Sequence, residues 1–257
     1  MRNILFGIVC AFLVGVTYSR NFNGRVVNGT PIDYKPYYAF VESIGSNVTT
    51  GSGTFITRRH VLTSASMIRG YVQWIIGYGS VNFTDLIRLT SNIALMHNNV
   101  QTIFWPNRND IGIILLQNDV TSALVEPVAL PVTEVPLPRD NEEGIVVGFT
   151  FSNETGLPDE NSVMHGAYLQ TIIGTRCSSG HITSPLVNAF CASDPYYSSN
   201  SCSGSVGSGF VVRSRGTDLL VGILNTFNPL CRIADVTTYI TIQSFLPWIR
   251  AIIGDDL

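Results

Sequence analysis

The chain carries four histidines, the side chains best suited to general-base catalysis and to zinc binding near neutral pH. They are widely separated, at positions His60, His97, His165 and His181. Zinc sites need clustered ligands at spacings such as His-x-x-x-His or Cys-x-x-Cys, and neither spacing occurs in this sequence. We therefore predict no metal site and no other cofactor.

Candidate serine nucleophiles lie in a glycine-rich segment, residues 202–209, which reads Cys-Ser-Gly-Ser-Val-Gly-Ser-Gly. A serine hydroxyl becomes a strong nucleophile only beside a base that takes its proton. Ser205 and Ser208 have no such base nearby in the sequence, and neither completes a Gly-x-Ser-x-Gly turn. An enzyme with an unorthodox serine site is therefore an alternative that we do not favour.

The composition predicts a folded protein with a sizeable core, because 45% of the 257 residues are hydrophobic and only 13% are charged. The net charge is −3, Lys35 is the single lysine, and the arginines are scattered along the chain. Since nothing forms a basic stripe that would follow a phosphate backbone, we expect no nucleic-acid partner.

The first 19 residues have the pattern of a secretory signal peptide. Arg2 provides a positive start, Ile4 to Val16 form an apolar run, and Thr17 and Ser19 are small residues at the spacing of a cleavage site. The run is too short to span a bilayer, so an N-terminal anchor is the less favoured alternative. We predict cleavage after Ser19, secretion into an extracellular fluid and no association with a membrane.

The cysteines and the glycosylation sequons agree with export. Cys10 would leave with the signal peptide, and the remaining cysteines are Cys177, Cys191, Cys202 and Cys231. An even number in an exported chain predicts two disulfides, with three possible connectivities. Asn-x-Thr sequons mark four candidate glycosylation sites, Asn28, Asn47, Asn82 and Asn153.

Short β-branched and aromatic runs, separated by Gly, Pro, Asn or Ser, predict an all-β barrel or sandwich. Predicted strands include Tyr37 to Ile44, Gly53 to Thr57, His60 to Ala65, Val72 to Ile76, Ile111 to Leu116, Ile145 to Phe151, Leu169 to Ile173, Pro185 to Ala192, Gly209 to Arg213, Leu219 to Asn225 and Thr237 to Ile242. The proline-rich stretch from Glu126 to Pro138 could join two β subdomains. Ser244 is a plausible N-cap for one C-terminal amphipathic helix.

These residues also carry a resemblance to the chymotrypsin/trypsin family of secreted serine proteases. Residues 25–29, Arg-Val-Val-Asn-Gly, resemble an activation site, and residues 60–66, His-Val-Leu-Thr-Ser-Ala-Ser, resemble the segment that normally continues into Ala-Ala-His-Cys. Residues 109–116 resemble the Asp-Ile-Ala-Leu-Leu strand, and residues 202–207 stand where Cys-x-Gly-Asp-Ser-Gly is expected. The resemblance covers the whole mature length and implies two six-stranded antiparallel β-barrels followed by a helix.

The catalytic triad implied by the resemblance is incomplete. Asp110 keeps the carboxylate, but Ser66 stands at the imidazole position and Val206 at the nucleophile position. A triad needs all three groups, because the imidazole takes the proton of the hydroxyl and the carboxylate orients the imidazole. His60 lies six residues before Ser66, too far along a strand to replace the base. The resemblance therefore implies a serine-protease fold without catalytic activity.

Activation and substrate binding are altered in the same comparison. Cleavage between Arg25 and Val26 would release residues 20–25 as a short propeptide and leave a domain of residues 26–257. Ser205 stands where the family has the aspartate that pairs with the new N-terminus, so we expect no ordered activation. The former specificity pocket contains Asn200 at its floor, with Phe227 and Thr237 at glycine positions.

The resemblance also implies the disulfide pairing Cys177–Cys191 and Cys202–Cys231. The bridge that usually flanks the imidazole is lost at both ends, at Gly51 and Met67. We therefore predict a secreted pseudoprotease that binds extracellular proteins as a cofactor, decoy or regulator, since function on such a scaffold lies in its loops. A serine endopeptidase with an unorthodox site and a structural or storage component of a secretion are the alternatives.

Overall fold

A computed structural model describes residues 26–104, 106–132, 136–149, 158–174, 177, 182, 186–196, 198–202, 204–226 and 235–254. The predicted signal peptide, residues 1–19, and the predicted propeptide, residues 20–25, lie outside this part. The strands, in chain order, are β1 (Val26–Val27), β2 (Thr30–Pro31), β3 (Tyr38–Gly45), β4 (Val48–Phe55), β5 (His60–Thr63), β6 (Tyr71–Tyr78), β7 (Ile87–Ser91), β8 (Ile93–Met96), β9 (Gly112–Leu115), β10 (Glu143–Phe149), β11 (Met164–Ile172), β12 (Ala189–Ser193), β13 (Asn200–Ser201), β14 (Gly209–Ser214), β15 (Thr217–Thr226) and β16 (Thr237–Thr241).

Two large antiparallel sheets form the molecule, as the resemblance implied. The N-terminal sheet has the order β7-β6-β3-β4-β5-β9-β8. Its two outer strands follow each other in the chain with only Asn92 between them, so the sheet is curled, and no pairing of β7 with β8 closes it among the described residues. The C-terminal sheet has the order β10-β14-β15-β16-β12-β11-β2, and pairing of β10 with β11 closes its six long strands into a barrel.

Strand β3 is buried on both faces, because it belongs to one barrel and also touches the other. Successive side chains of a strand point to opposite faces. Ala39 and Val41 accordingly belong to the core of the N-terminal sheet, whereas Tyr38 and Phe40 pack in a separate cluster with Phe149 of β10. The Phe149 ring lies 5.9 Å from the ring of Tyr38 and 6.3 Å from that of Phe40, in edge-to-face contact. This aromatic cluster holds the two sheets together and so positions the site between them.

The proline-rich stretch joins the two barrels, as predicted from its composition. Val128 N–H donates to the carbonyl of Phe55 in the N-terminal sheet, at 3.0 Å. One residue later the carbonyl of Ala129 accepts from Leu220 N–H in the C-terminal sheet, also at 3.0 Å. The connecting segment is therefore fixed to both sheets.

The C-terminal helix was predicted correctly as an element, but the prediction of Ser244 as its N-cap is wrong. A 3₁₀ turn, Ile242–Phe245, comes first and contains Ser244, and helix α1 spans Leu246–Ile253. Pro247 occupies the first turn of α1, where its missing N–H is not needed. Leu246, Ile249 and Ile253 are buried, as the helical spacing requires. Among the described residues no helix is long and apolar enough to cross a membrane.

Candidate functional site

Asp110 is the centre of the candidate site, and it is completely buried where the loop after β8 leads into β9. Its Oδ1 accepts the backbone N–H of Ser66 at 2.8 Å. Its Oδ2 accepts the Ser64 hydroxyl at 2.7 Å and the Ser66 hydroxyl at 3.2 Å. The carboxylate is thus held from one side by the segment that carries the former imidazole position.

Burial raises the pKa of Asp110, because the charged form loses its hydration. Hydrogen bonds from Ser64, Ser66 and Asn107 act in the opposite direction and only partly offset the burial. No cation appears among the groups that act on this carboxylate. The charge of Asp110 is therefore solvated by neutral donors and not by an ion pair.

Ser66 lies in a short 3₁₀ turn, Ala65–Met67, which directly follows β5. Ser64 caps this turn, and its Oγ accepts from Ser66 N–H at 3.2 Å. Backbone N–H groups at the start of such a turn lack partners within it, so they point toward an acceptor. Here the acceptors are Ser64 Oγ and the Asp110 carboxylate. The turn therefore places the hydroxyls of Ser64 and Ser66 and the N–H of Ser66 within hydrogen-bonding distance of the Asp110 carboxylate.

The histidines that the structure describes are engaged elsewhere. His60 pairs with Leu115 in the β5–β9 ladder, whereas Thr63 pairs with Gly112 near Asp110. His60 and Thr63 are three residues apart along β5, which corresponds to about 10 Å. His60 is therefore too far from Asp110 for a hydrogen bond. The Nδ1 of His60 instead shares a hydrogen bond of 2.7 Å with Thr57 Oγ1.

The other two described histidines have structural surroundings. The ring of His97 packs edge-on against Phe245 and Trp248, at 5.1 and 5.5 Å between centroids, and burial lowers its pKa. His165 lies on β11, and its Nδ1 donates to the Val163 carbonyl at 3.2 Å. His181 lies outside the described residues. Within the described ranges, no group of three or more His, Cys, Asp or Glu could hold a metal ion.

Val206 occupies the former nucleophile position with its main chain well anchored. Its carbonyl accepts Ser52 N–H of β4 at 2.9 Å, and its half-buried side chain packs against the cluster that contains Met67. Gly207 follows with φ +85°, and a Cβ there would lie 2.1 Å from Thr63 Oγ1. The sharp turn of the family is thus retained although its hydroxyl is absent.

The two other candidate nucleophiles, Ser205 and Ser208, are both buried. Ser205 is completely buried, and its backbone N–H donates to the Cys202 carbonyl at 3.0 Å. Ser208 is also buried, and its hydroxyl donates to the Val147 carbonyl at 2.8 Å. Neither serine hydrogen-bonds with Asp110 in the site described above.

Asn200 and Thr237, which the resemblance assigns to the former specificity pocket, are both buried polar residues with hydrogen bonds inside the protein. Thr237 is completely buried, and its hydroxyl lies 3.2 Å from the Ala192 carbonyl and 3.1 Å from Tyr239 Oη. The Asn200 amide donates to the Asp235 carbonyl at 2.8 Å. Ser201 on β13 contacts both residues, and their assignment to one pocket stays a prediction. Phe227 lies outside the described residues.

The segment after the predicted activation site pairs with β13, which contains Asn200. Val26 lies opposite Ser201 and Val27 opposite Asn200 in the antiparallel β1–β13 pair. Arg25 lies outside the described residues, so cleavage between Arg25 and Val26 stays a prediction.

Cys177 and Cys191 form a disulfide, with their Cα atoms 5.7 Å apart, which is the pairing that the resemblance implied. Cys202 is disulfide-bonded too, but Cys231 lies outside the described residues, so their pairing stays a prediction.

Of the four sequons, Asn28, Asn47 and Asn82 are exposed. Asn153 lies outside the described part.

Gly51 and Met67 stand at the two ends of the lost bridge, and Met67 now fills the space. A Cβ built on Gly51 would lie 2.5 Å from Met67 Sδ and 2.8 Å from the Val206 carbonyl oxygen. The thioether therefore lies where the side chain of a larger residue at position 51 would be. The resemblance implied that the bridge is lost, but the sequence analysis did not predict this packing.

Ser64 is the site residue that the sequence interpretation missed. It stands at an alanine position of the Ala-Ala-His-Cys pattern, so its hydroxyl has no counterpart in that pattern. The available signal was the paired change to Ser-Ala-Ser at residues 64–66, which adds two hydroxyls beside an expected carboxylate.

The two barrels, the buried aspartate and the glycine turn at Val206 together define a protein with the chymotrypsin-like fold. A sequence model of the trypsin family matches residues 26–249, so the chain belongs to the trypsin family. The chain is also similar in fold to a solved structure, HL collagenase, with a TM-score of 0.73, 20% identity, and coverage of 88% of this chain and 98% of that one.

Curated relatives include both haptoglobin and a protein named as vitamin K-dependent protein C. Haptoglobin of Sus scrofa is 36% identical over 240 residues, which cover 82% of this chain and 64% of that protein. Haptoglobin of Mesocricetus auratus is 30% identical over 171 residues, 58% of this chain and 48% of that protein. Vitamin K-dependent protein C of Mus musculus is 24% identical over 243 residues, 90% of this chain and 52% of that protein. The chain thus spans between about half and two thirds of the length of these relatives.

Proposed function

We propose that this trypsin-family protein is secreted, has no proteolytic activity and acts by binding protein partners in an extracellular fluid, as a cofactor, decoy or regulator. The observation that carries the proposal is the environment of Asp110. In a working triad this carboxylate orients an imidazole. Here both of its oxygens accept hydrogen bonds from Ser64 and Ser66.

Two of the three groups that a catalytic triad needs for acyl transfer are missing from this arrangement. A serine hydroxyl at position 66 cannot take a proton near neutral pH, and valine at position 206 has no group that could attack a carbonyl. A residual acceleration of roughly 10³–10⁴ from the oxyanion hole alone would still require an open substrate pocket. The resemblance assigns Asn200 and Thr237 to that pocket, and both side chains are buried and hydrogen-bonded within the protein, which supports the proposal that this residual route is closed.

Binding through surface loops is the function that such a scaffold retains. The double barrel is held rigidly by the aromatic cluster around Phe149, while loops at the former active-site face are free to differ from those of active proteases. The N-terminal sequence pattern and the three exposed sequons support an extracellular location.

The test of the proposal is an activity assay on the purified protein, before and after cleavage at Arg25. We expect no hydrolysis of a panel of ester and peptide substrates and no labelling by a fluorophosphonate probe, which requires an activated serine. An active trypsin-family protease at equal concentration is the positive control. Hydrolytic activity that co-elutes with the protein through every purification step would contradict the proposed inactivity.

The binding role is tested separately, by adding the protein to active trypsin-family proteases and their inhibitors. A cofactor or decoy changes the rate of hydrolysis or the inhibitor affinity in proportion to its concentration. The heat-denatured protein serves as the control. Inactivity without any effect in these assays, together with abundance in one secretion, would favour a structural or storage role instead.

A further inference from the structure

A groove of about 220 Å³ lies on the outer surface of the C-terminal barrel, and it shares no residue with the candidate site described above. Its floor is β11, where Gly166, Tyr168 and Gln170 stand at alternate positions on the face opposite the barrel core. One wall contains Asn28 and Thr30, and Thr30 pairs with Gly166. A cavity of about 150 Å³ can hold a benzene ring, so this groove has room for one six-membered ring.

The opposite wall is the loop after β12, and the buried carboxylate of Asp194 fixes its shape. Oδ1 of Asp194 accepts the backbone N–H of Tyr196 at 2.8 Å. Oδ2 accepts the backbone N–H groups of Ser198 at 3.1 Å and Ser199 at 2.9 Å, and both serine hydroxyls donate to the same oxygen. Burial alone would raise the pKa of Asp194, but these hydrogen bonds lower it, so the carboxylate is ionised at neutral pH. This wall is therefore preorganised.

Two accessible tyrosines line the groove, Tyr196 from the loop and Tyr168 from the floor. Tyr196 is 85% exposed and Tyr168 is 50% exposed, so a ligand can reach both rings. A tyrosine ring combines an apolar face with a polar hydroxyl, which suits a sugar, because a pyranose ring has C–H groups on its faces and hydroxyls at its edge. Glu143 and Gln170 add oxygen acceptors for such hydroxyls. No Lys, Arg or His lines the groove among the described residues, which disfavours an anionic ligand.

Asn28 gives the reason to expect a sugar in this groove. It begins the sequon Asn-Gly-Thr, it is exposed, and it forms part of the wall. A glycan attached to Asn28 would start at the groove, and such a tether raises the effective concentration of the sugar to the millimolar range. A cation attracted by Glu143 would have no tether, so it is the less favoured occupant. The other exposed sequons, Asn47 and Asn82, do not line this groove.

We propose that the groove between Tyr168 and Tyr196 holds the first sugar ring, a neutral N-acetylhexosamine, of a glycan attached to Asn28. The attachment transfers the glycan from a lipid pyrophosphate donor of the secretory pathway. The bond from sugar C1 to the pyrophosphate oxygen breaks, the bond from C1 to Asn28 Nδ2 forms, and Nδ2 loses one proton. The docked ring covers both tyrosines and fastens the segment after the predicted activation site to the barrel. This inference rests on the secretion in the proposed function and not on inactivity.

The test uses the full-length chain expressed in a eukaryotic host that secretes and glycosylates proteins. Mass spectrometry of glycopeptides should show a glycan on Asn28. Nitration of Tyr196 by tetranitromethane should then be about 3- to 10-fold slower in the wild type than in Asn28→Asp, the effect of one aromatic contact. Aspartate cannot carry the glycan but tolerates the left-handed φ of +51° at this position as asparagine does. Asn47→Asp is the matched control, because it removes a sequon outside the groove and should leave the nitration rate of Tyr196 unchanged.

Thermal unfolding of the same proteins provides the second measurement. Asn28→Asp should lower the midpoint by about 2–4 °C, which corresponds to the loss of one docked contact. In the Tyr196→Ala background the same change should have no such effect, and Tyr196→Ala itself should fold normally because the side chain is exposed. A midpoint change that is the same in both backgrounds would show that the glycan does not contact Tyr196 and would overturn the proposal.

The occupancy of the sequons separates this proposal from the proposed secretion. Secreted protein that carries glycans at Asn47 or Asn82 but none at Asn28 would overturn the proposal and leave secretion intact. Retention of an unglycosylated chain inside the cell would overturn both. A glycan on Asn28 with equal nitration rates of Tyr196 in wild type and Asn28→Asp would also overturn the proposal, because the sugar would then lie outside the groove.

Discussion

At the scale of single residues, Asp110 has two serines as partners, where the resemblance would place an imidazole. The structure shows that this carboxylate is completely buried just before β9, which the sequence analysis had not predicted. The loss of the imidazole could be read from the sequence, because Ser66 has the wrong chemistry. What the sequence could not reveal was the second hydroxyl, that of Ser64, since the direction of a small side chain depends on the 3₁₀ turn that carries it.

Asp110 should therefore lower the stability of the protein at neutral pH. Burial raises its pKa above the ordinary value of 3.8, so the folded protein binds this proton more tightly than the unfolded chain does. The contribution of the Asp110 carboxyl to stability is therefore greatest when the pH is below the pKa of the unfolded chain. It is lost as the pH rises from that pKa through the higher pKa of the folded protein. No imidazole or other cation among the described groups compensates the charge that remains.

Asp110→Asn should accordingly raise the midpoint of thermal unfolding at neutral pH. The amide is isosteric, its oxygen can still accept Ser66 N–H, and the hydroxyls of Ser64 and Ser66 can turn to accept from its NH₂ group. In a chain of this size each 1 kcal/mol corresponds to a shift of about 2–4 °C. Calorimetry across a pH series should show the difference between the two proteins disappearing below the ordinary carboxyl pKa.

Asp110→Ala is the control for this prediction. It removes both acceptor atoms and leaves donors without partners, so it should destabilise at every pH. If Asp110→Asn is as unstable at neutral pH as Asp110→Ala, the ionised carboxylate stabilises the folded protein, and the prediction that its buried charge is destabilising is wrong.

At the scale of elements, β4 and the 3₁₀ turn after β5 are joined by packing between positions 51 and 67. The resemblance implies a disulfide between these two positions in the family. Here Met67, which is 4% exposed, packs against a glycine that has no side chain to clash with it. Dispersion contacts of a flexible thioether thus connect the two elements.

Gly51→Ala should destabilise the protein by about 1–3 kcal/mol, the usual cost of overpacking a core. The new methyl group would lie 2.5 Å from Met67 Sδ and 2.8 Å from the Val206 carbonyl oxygen, so both elements must shift. Met67→Ala alone should cost about 2–5 kcal/mol through the cavity it leaves. Urea unfolding of the two single variants and the double variant measures the coupling between them.

We expect Gly51→Ala to cost less in the Met67→Ala background than in the wild type, because the thioether clash is then absent. The contact with the Val206 carbonyl should preserve part of the cost. Strict additivity of the two free-energy changes would mean that Met67 does not occupy the space beside Gly51.

Among the elements, most strands bounded by Gly, Pro, Asn or Ser were found near their predicted positions, although β4 and β11 begin five residues earlier than predicted. The run from Ile87 to Met96 was missed, because it has no Gly or Pro between its two strands and the burial of β7 shows no regular alternation. Its place at the two edges of the N-terminal sheet follows from tertiary pairing with β6 and β9, which local sequence does not encode. The start of helix α1 was misplaced because Ser244 has the chemistry of a cap, whereas the 3₁₀ turn before Leu246 occupies that position.

At the scale of the whole molecule, the order and spacing of family motifs determined the fold more reliably than any one strand prediction. Runs of β-branched residues left a barrel and a sandwich open. The motifs decided between them because their spacing matches one known architecture. The two halves of the chain nevertheless differ in their cysteines: all cysteines after the predicted signal peptide lie beyond the proline-rich connection.

This asymmetry predicts the order in which the molecule loosens under mild reduction. The Cys177–Cys191 bridge connects residues 14 apart, and Cys191 is completely buried in β12, opposite Ile172 of β11. Closing a loop of about 15 residues is worth about 3 kcal/mol, a large part of the net stability of a domain.

We expect reduction to open the C-terminal barrel first, so that limited proteolysis gives its first new cuts after residue 170. The N-terminal sheet should resist, since Met67 packs there without a bond to lose, and Cys177→Ser with Cys191→Ser should reproduce the cuts without reductant. Early cuts confined to residues before Pro127 would contradict the prediction, and non-reducing peptide mapping on the same samples would establish whether Cys202 pairs with Cys231.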